Sequence, residues 1–246
     1  MIKNHTSLKL PKKTFVPLFL RSLFGTLGIL CNFYALDHLD LADASILNKM
    51  SPFFAIVFSI FLLKEKIKPV QMFIVTGALV GAMCVVKPSF SNVSTIPALL
   101  ALCGGMCAGL AYTFVRMLGQ RGVKGPVIVC FFSGFSCLVT LPFLIFNFTP
   151  MSLVQLAMLI LAGLSAAGGQ FTITSAYCYA PAKDVSVYDY SQIIFTAAIG
   201  FIVFGQIPDW LSWVGYVIIC LMAVLMFIYN KKRDEKADAL KKVKEN

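Results

Sequence analysis

One feature recurs from end to end of this sequence: apolar stretches of about 20 residues, long enough at 1.5 Å of rise each to cross roughly 30 Å of hydrocarbon. Eight are counted, near residues 15–35, 44–63, 70–86, 96–115, 127–146, 152–177, 185–205 and 210–229. No soluble domain fits between them. With 59% of its residues hydrophobic and 13% charged, the chain carries more apolar surface than one soluble core can hide. The expectation is an all-α integral membrane protein. A basic leader, MIKNHTSLKLPKK, precedes the first stretch and lacks a small-residue cleavage site, so that stretch is expected as a retained span.

Orientation follows from the basic residues, which cytoplasmic loops retain. With the N-terminus inside and the spans alternating, all but two of the 21 lysines and arginines fall on the inner side. Lys87 alone falls outside, and Lys49 lies within a span. Both termini are therefore expected in the cytoplasm, with the protein in the cell membrane. The net charge of +10 is on this reading a topology signal and not a nucleic-acid signal. The tail, residues 230–246, places Lys231, Lys232 and Arg233 at the membrane edge, where anionic lipid is the expected partner.

The sequence offers little chemistry of other kinds. All eight cysteines fall inside expected spans, none in a CxxC, and they read as small packing residues between helices. There is no GxxxxGK[ST], HExxH or GxSxG, and the only histidines are His5 and His38. Neither an ATP-driven pump nor an intramembrane hydrolase has support, and no enzyme activity, metal or cofactor is expected.

Sliding the chain against itself by 141 residues lays GILCNFYALDHLDLADASILNKMSPF over GQFTITSAYCYAPAKDVSVYDYSQII without a gap. Gly28 meets Gly169, Ala35 meets Ala176, Asp43 meets Asp184 and Ser45 meets Ser186. The loop LKEKIKP, with three lysines, then lies over FGQIPDW, which has none. One loop is expected inside and its mate outside, so the same unit is inserted upside down. Inverted repeats of this kind are a construction of secondary transporters, whose substrate sites lie near the midplane between the halves.

Three stretches carry a family resemblance: FYALDHLDLADASILNKMSPFFAIVFSIFLLKEKI, AYTFVRMLGQRG and AYCYAPAKDVSVYDYSQIIFTAAIGFIVFGQIPDW. They resemble the fourth helix, the end of the sixth helix with its basic loop, and the ninth helix of EamA-type members of the drug/metabolite transporter superfamily. The resemblance implies ten helices in two five-helix repeats and transport of a small organic metabolite or drug. This chain departs by lacking counterparts of the first two helices. Its expected organisation is a leader over 1–14, a partial first repeat of three helices over 15–88, a second repeat of five over 96–229, and the basic tail. The alternative reading is a non-transporting fragment or regulatory subunit completed by a partner, a homodimer mate among the candidates.

Within the second span, SILNKMSPFF places Asn48 and Lys49 a turn before Pro52. Counted from residue 44, Lys49 lies roughly 7 Å deep. Its stem is long enough to snorkel to the surface. Pro52, however, breaks the helix and frees carbonyls that must face protein or a water-filled cavity, which makes Lys49 a candidate to bind an anionic group or to gate. By the repeat, Asn48 and Lys49 map onto Asp189 and Tyr190, and an in-plane axis puts such mates at opposite depths. Lys49 and Asp189 are thus expected to line the two ends of one pathway. Asp189 is a candidate for proton or amine binding, or else a capping residue. Asn32, Tyr112, Gln170, Tyr177 and Gln192 are further polar groups at membrane depth, readable as pathway lining or as interhelical hydrogen-bond partners. Arg21 and Arg116 are expected as cytoplasmic anchors, with attraction of an anionic substrate as the alternative.

Overall fold

In a computed structural model the described residues, 13–39, 41–87, 95–146, 150–205 and 207–245, build ten helices. Most of the leader, with Asp40 and Gln206, lies outside them. The helices are α1 (Phe15–His38), α2 (Leu41–Asn48), α3 (Ser51–Leu63), α4 (Pro69–Val86), α5 (Thr95–Gln120), α6 (Gly125–Phe146), α7 (Leu153–Tyr179), α8 (Ala182–Asp189), α9 (Ser191–Phe204) and α10 (Trp210–Glu245). Ten helices give eight spans, because α2–α3 and α8–α9 are each one crossing interrupted in its middle. In hydrocarbon every backbone N–H and C=O needs an internal partner, and helices satisfy that need within one segment. The chain is a multi-pass membrane protein.

The 141-residue shift reappears in the backbone. Moving the limits of α2 by that distance gives those of α8, and the mates Lys64 and Gly205 both close their helices in the left-handed conformation, at φ of 54° and 64°. α4 and α10 start at the mates Pro69 and Trp210. The ends are inverted. Lys183 donates to the carbonyl of Lys66 at 2.7 Å, Arg116 pairs with Glu65 and Arg121 bonds the carbonyl of Lys13, so the α3–α4 loop lies at one end with the basic residues. Its mate, the α9–α10 loop, lies at the other end, where Asp209 pairs with Lys87.

Small residues set the packing. α1 runs along α5, with Gly28 facing Gly104 so closely that a methyl on Gly28 would sit 3.1 Å from the Gly104 carbonyl oxygen. Starting at the next residue, Gly105 and Gly109 of α5 form a GxxxG face that admits the interrupted second span. A methyl on Gly105 would come 2.9 Å from the carbonyl of Leu47, and one on Gly109 2.6 Å from Phe54 Cβ. α5 therefore fixes where the α2–α3 joint sits. The core around it joins Leu18, Ile56, Val75, Leu118, Ile128, Tyr177, Tyr190 and Met226. All eight cysteines are unpaired, and Cys31 packs beside Gly104.

Candidate functional site

Both interrupted crossings break close to mid-bundle. α2 spans eight residues before its break and α8 eight before its own, so each joint lies about 12 Å from its own end, and the two ends are opposite. In a crossing of roughly 30 Å the joints meet. Lys49 and Tyr190, the residues at the two joints, touch: the Tyr190 hydroxyl donates to the Lys49 carbonyl at 3.1 Å across 141 positions. That carbonyl is among the groups a break leaves without a regular helical bond, and the phenol supplies its partner.

The expectation that Lys49 and Asp189 occupy opposite ends of a pathway is corrected here. They face one cavity of about 700 Å³, walled by Asn48, Ser51, Tyr112, Thr172 and Gln192 among others. The difference has a simple origin. The second crossing begins at Leu41, three residues before the apolar run, so Lys49 lies a turn deeper than the hydropathy pattern placed it. The Lys49 ammonium donates to Gln192 Oε1 at 2.5 Å, while Asp189 Oδ2 accepts from the Tyr177 hydroxyl at 2.9 Å. Tyr177 is fully buried and stacks on Tyr112 with ring centroids 4.6 Å apart. A cation and a carboxylate thus share a chamber, each tethered by a neutral group.

Asn48 and Tyr112 also line a second cavity, of about 420 Å³, which continues along α1, α5 and α7 past Asn32, Ala108 and Gln170. Asn48 donates to Asn32 Oδ1 at 2.9 Å across the boundary. Arg21 lines this second cavity. Expected as an anchor, it is instead 2% exposed, its guanidinium 3.7 Å from the centroid of Phe132 and one amine 3.3 Å from Gln170 Oε1. Counting from the end of the apolar stretch put Arg21 near the headgroups. Its place on the face of α1 that meets α5 and α6 puts it inside.

Arg116 is likewise drawn inward, holding Glu65 at 3.3 Å and the Cys178 carbonyl at 3.0 Å, so it ties α5 to the α3–α4 loop and to the end of α7. Arg233 of the tail clamps Asp184 at 3.0 Å, and Gln71 donates to the same carboxylate at 2.9 Å. These groups hold one end of the bundle together and lie outside both cavities. Among the described residues no cluster of side chains is suited to hold a metal ion. The break at Tyr190 carries no proline, and hydropathy alone predicts one uninterrupted helix over 185–205. The signal that locates it is the repeat itself, which maps Lys49 onto Tyr190.

An all-helical membrane bundle with two interrupted crossings meeting over a charged chamber defines the class. Its membership is narrower: residues 1–87 and 95–228 match the EamA-like transporter family, and the chain belongs to that family. It is 33% identical over 213 residues to the pseudopaline exporter CntI of Pseudomonas aeruginosa, covering 86% of this chain and 75% of that one. The S-adenosylmethionine uptake transporter of Rickettsia prowazekii is 23% identical, with 87% of this chain and 72% of the relative covered. A crystal structure with 18% sequence identity shares the fold at a TM-score of 0.73, covering 90% of this chain and 78% of that one. The chain is a transporter of this family.

Proposed function

We propose that the protein moves a small organic solute across the cell membrane by alternating access, with both termini in the cytoplasm and the solute held where the two interrupted crossings meet. One observation carries the reading: Lys49 and Asp189, opposite charges half-buried at bundle depth, face one cavity at the contact between repeat-mates Lys49 and Tyr190. Ionisable groups at membrane depth are costly, and a cavity of this size gives them a ligand to meet. Rocking of the first repeat, α1–α4, against the second, α5–α10, about this contact would expose the cavity to each side in turn. The relatives supported by sequence bear names of both an exporter and an uptake transporter, so transport is to be followed in both directions. Proteoliposomes holding the chain are expected to take up or release a charged metabolite from a mixed panel, and Lys49→Ala is expected to lower that flux by more than about tenfold. Solute movement unchanged by that substitution would remove Lys49 from the mechanism.

A second reading rests on α7. Leu153, Leu161 and Leu164 of α7 are exposed and a methyl on Gly163 or Gly168 would meet nothing within 4 Å, whereas Gly28 of the mate helix α1 is packed against α5. That asymmetry favours a chain whose α7 is covered by helices of a partner, a second copy among them, before it transports. Cross-linking from cysteines placed at Leu161 and Leu164 in membranes tests it.

A further inference from the structure

Arg21 is the exception among the four arginines of this chain. Arg116 and Arg233 each hold a carboxylate, and Arg121 holds a backbone carbonyl. Arg21, although 2% exposed, has no carboxylate within salt-bridge distance among the described residues. Its named partners are the neutral oxygen of Gln170 and the face of Phe132, and its Nε is buried with no hydrogen-bond partner. A buried guanidinium with five donors and one neutral acceptor is under-satisfied, and a ring quadrupole offsets only part of its lost hydration. The missing group is an anion with two oxygens, for which the planar fork of arginine is built.

The cavity beside it is open to such a group. Arg21 shares the 420 Å³ cavity with Asn32, Asn48, Tyr112 and Gln170, and Asn48 and Tyr112 are also walls of the 700 Å³ chamber that holds Lys49 and Asp189. Gly169 and Gln170, adjacent on α7, face one cavity each. Asn48 and Tyr112 are thus walls common to the cavity of the lone arginine and to that of the lysine–aspartate pair. Counting charges over both cavities gives two cations and one carboxylate.

Resting on the transport reading above, we infer that Arg21 forms a carboxylate-binding subsite, and that the solute is an amino-polycarboxylate bearing at least two carboxylates and one ammonium. One carboxylate lies in the fork of Arg21, displacing its bond to Gln170. A second meets the Lys49 ammonium, and the solute ammonium meets Asp189. Neutral sugars, simple amines and uncharged drugs leave Arg21 and Lys49 unanswered and are excluded. Tyr112 and Asn48 lie at the middle of the bound solute, and Asn48 is free to exchange its bond with Asn32 for one to the ligand.

The test uses the purified 246-residue chain in detergent and in proteoliposomes. Its probes are L-glutamate, L-2-aminoadipate, meso-diaminopimelate and N-(carboxymethyl)-L-aspartate, each beside its methyl ester, with putrescine and glucose as controls. The expected result is saturable binding and transport of at least one free acid, loss of at least tenfold in affinity for its ester, and a similar loss in Arg21→Gln, partly restored in Arg21→Lys. Binding confined to putrescine or glucose, binding of none of the acids, or equal affinity for acid and ester overturns the inference. The acid-to-ester ratio is read on the unaltered chain, so it tests carboxylate recognition even if Arg21→Gln does not fold, and Arg21→Lys then separates the arginine fork from Lys49: an unchanged ratio and affinity in Arg21→Lys overturns the inference. Acid binding without movement sinks the transport reading and leaves the subsite. Movement of an acid at unchanged affinity in a folded Arg21→Gln sinks the subsite and leaves transport.

Discussion

The joint of α2–α3 and the joint of α8–α9 are one backbone device used twice, with opposite chemistry. Each follows an eight-residue helix, and each faces the same chamber. The first presents Asn48 and Lys49, the second Asp189 and Tyr190. Backbone symmetry therefore builds the place, and side-chain asymmetry decides what it holds. A symmetric pair of lysines would repel across the contact, and a symmetric pair of carboxylates likewise. One of each leaves a chamber that offers poles to a solute carrying both signs.

The sharpest way to break this comparison is to make the joints alike. Lys49→Ala and Asp189→Asn each remove one pole, and each is expected to lower transport by roughly 30-fold to 160-fold, the range for losing a charge-assisted bond of about 2–3 kcal/mol. Proteoliposome flux checks both. If only one of the two substitutions matters, the joints are not complementary poles, and the unaffected residue is a packing or capping group.

A second contrast separates the outer helices of the two halves. Gly28 of α1 and Gly169 of α7 are repeat-mates, yet a methyl on the first would press on Gly104 and on the backbone of Ala108, while one on the second meets nothing within 4 Å. Gly28→Leu is expected to destabilise the bundle by about 1–3 kcal/mol or more through overpacking. Gly169→Leu is expected to leave thermal stability in detergent nearly unchanged. Melting of the two variants side by side reads the difference. A strong loss in the second would mean that the chamber wall at Gly169 is filled or covered, and not open as here.

Much of this architecture was legible before any coordinates. Eight spans follow from hydropathy to within a few residues, and the repeat offset maps α2 onto α8 because hydrocarbon thickness and helix rise leave little freedom in length. The joints were half legible. Pro52 announces the first, while Ile193 stands at the corresponding position of the second, and its break is held by tertiary contacts no local rule reads. Arg21 was least legible. Hydropathy gives distance along a helix but not which face turns inward, and facing α5 and α6 is what changes this residue from an anchor into a cavity wall. Gln170 and Tyr177 were visible as polar groups at depth, but not as the partners of Arg21 and Asp189.

Tyr190 gives a smaller effect that sharpens the joint itself. Tyr190→Phe removes the donor to the Lys49 carbonyl and leaves the ring in its fully buried site. A loss of about 1–2 kcal/mol is expected, the cost of an unsatisfied buried acceptor, with the isosteric ring keeping the packing. Hydrogen exchange of amides around residues 49–54 is expected to rise more than that of α4 or α10. Uniform change across the bundle would show that the contact steadies the fold as a whole and is not specific to the joint.

The smallest effect lies at the bundle end away from the basic loops. There Lys87 and Ser212 hold the Asp209 carboxyl down at about 2, below its ordinary value near 3.8, chiefly through the lysine. A carboxylate whose pKa is lower folded than unfolded adds stability above its unfolded value, and loses it as pH falls through the folded one. The contribution of this pair should therefore be constant above pH 5 and decline between about pH 4 and 2. The pair is exposed and screened by salt, so the decline should be slight and should shrink in high salt. Asp209→Asn is the control: its melting curve should differ from that of the unaltered chain at pH 5 and converge on it near pH 2. Convergence at every pH would show that the bundle is held at this end by the packing of α4 on α10 alone. Its opposite end, where Asp184 is buried under Gln71 and Arg233, would then be the only one that depends on charge.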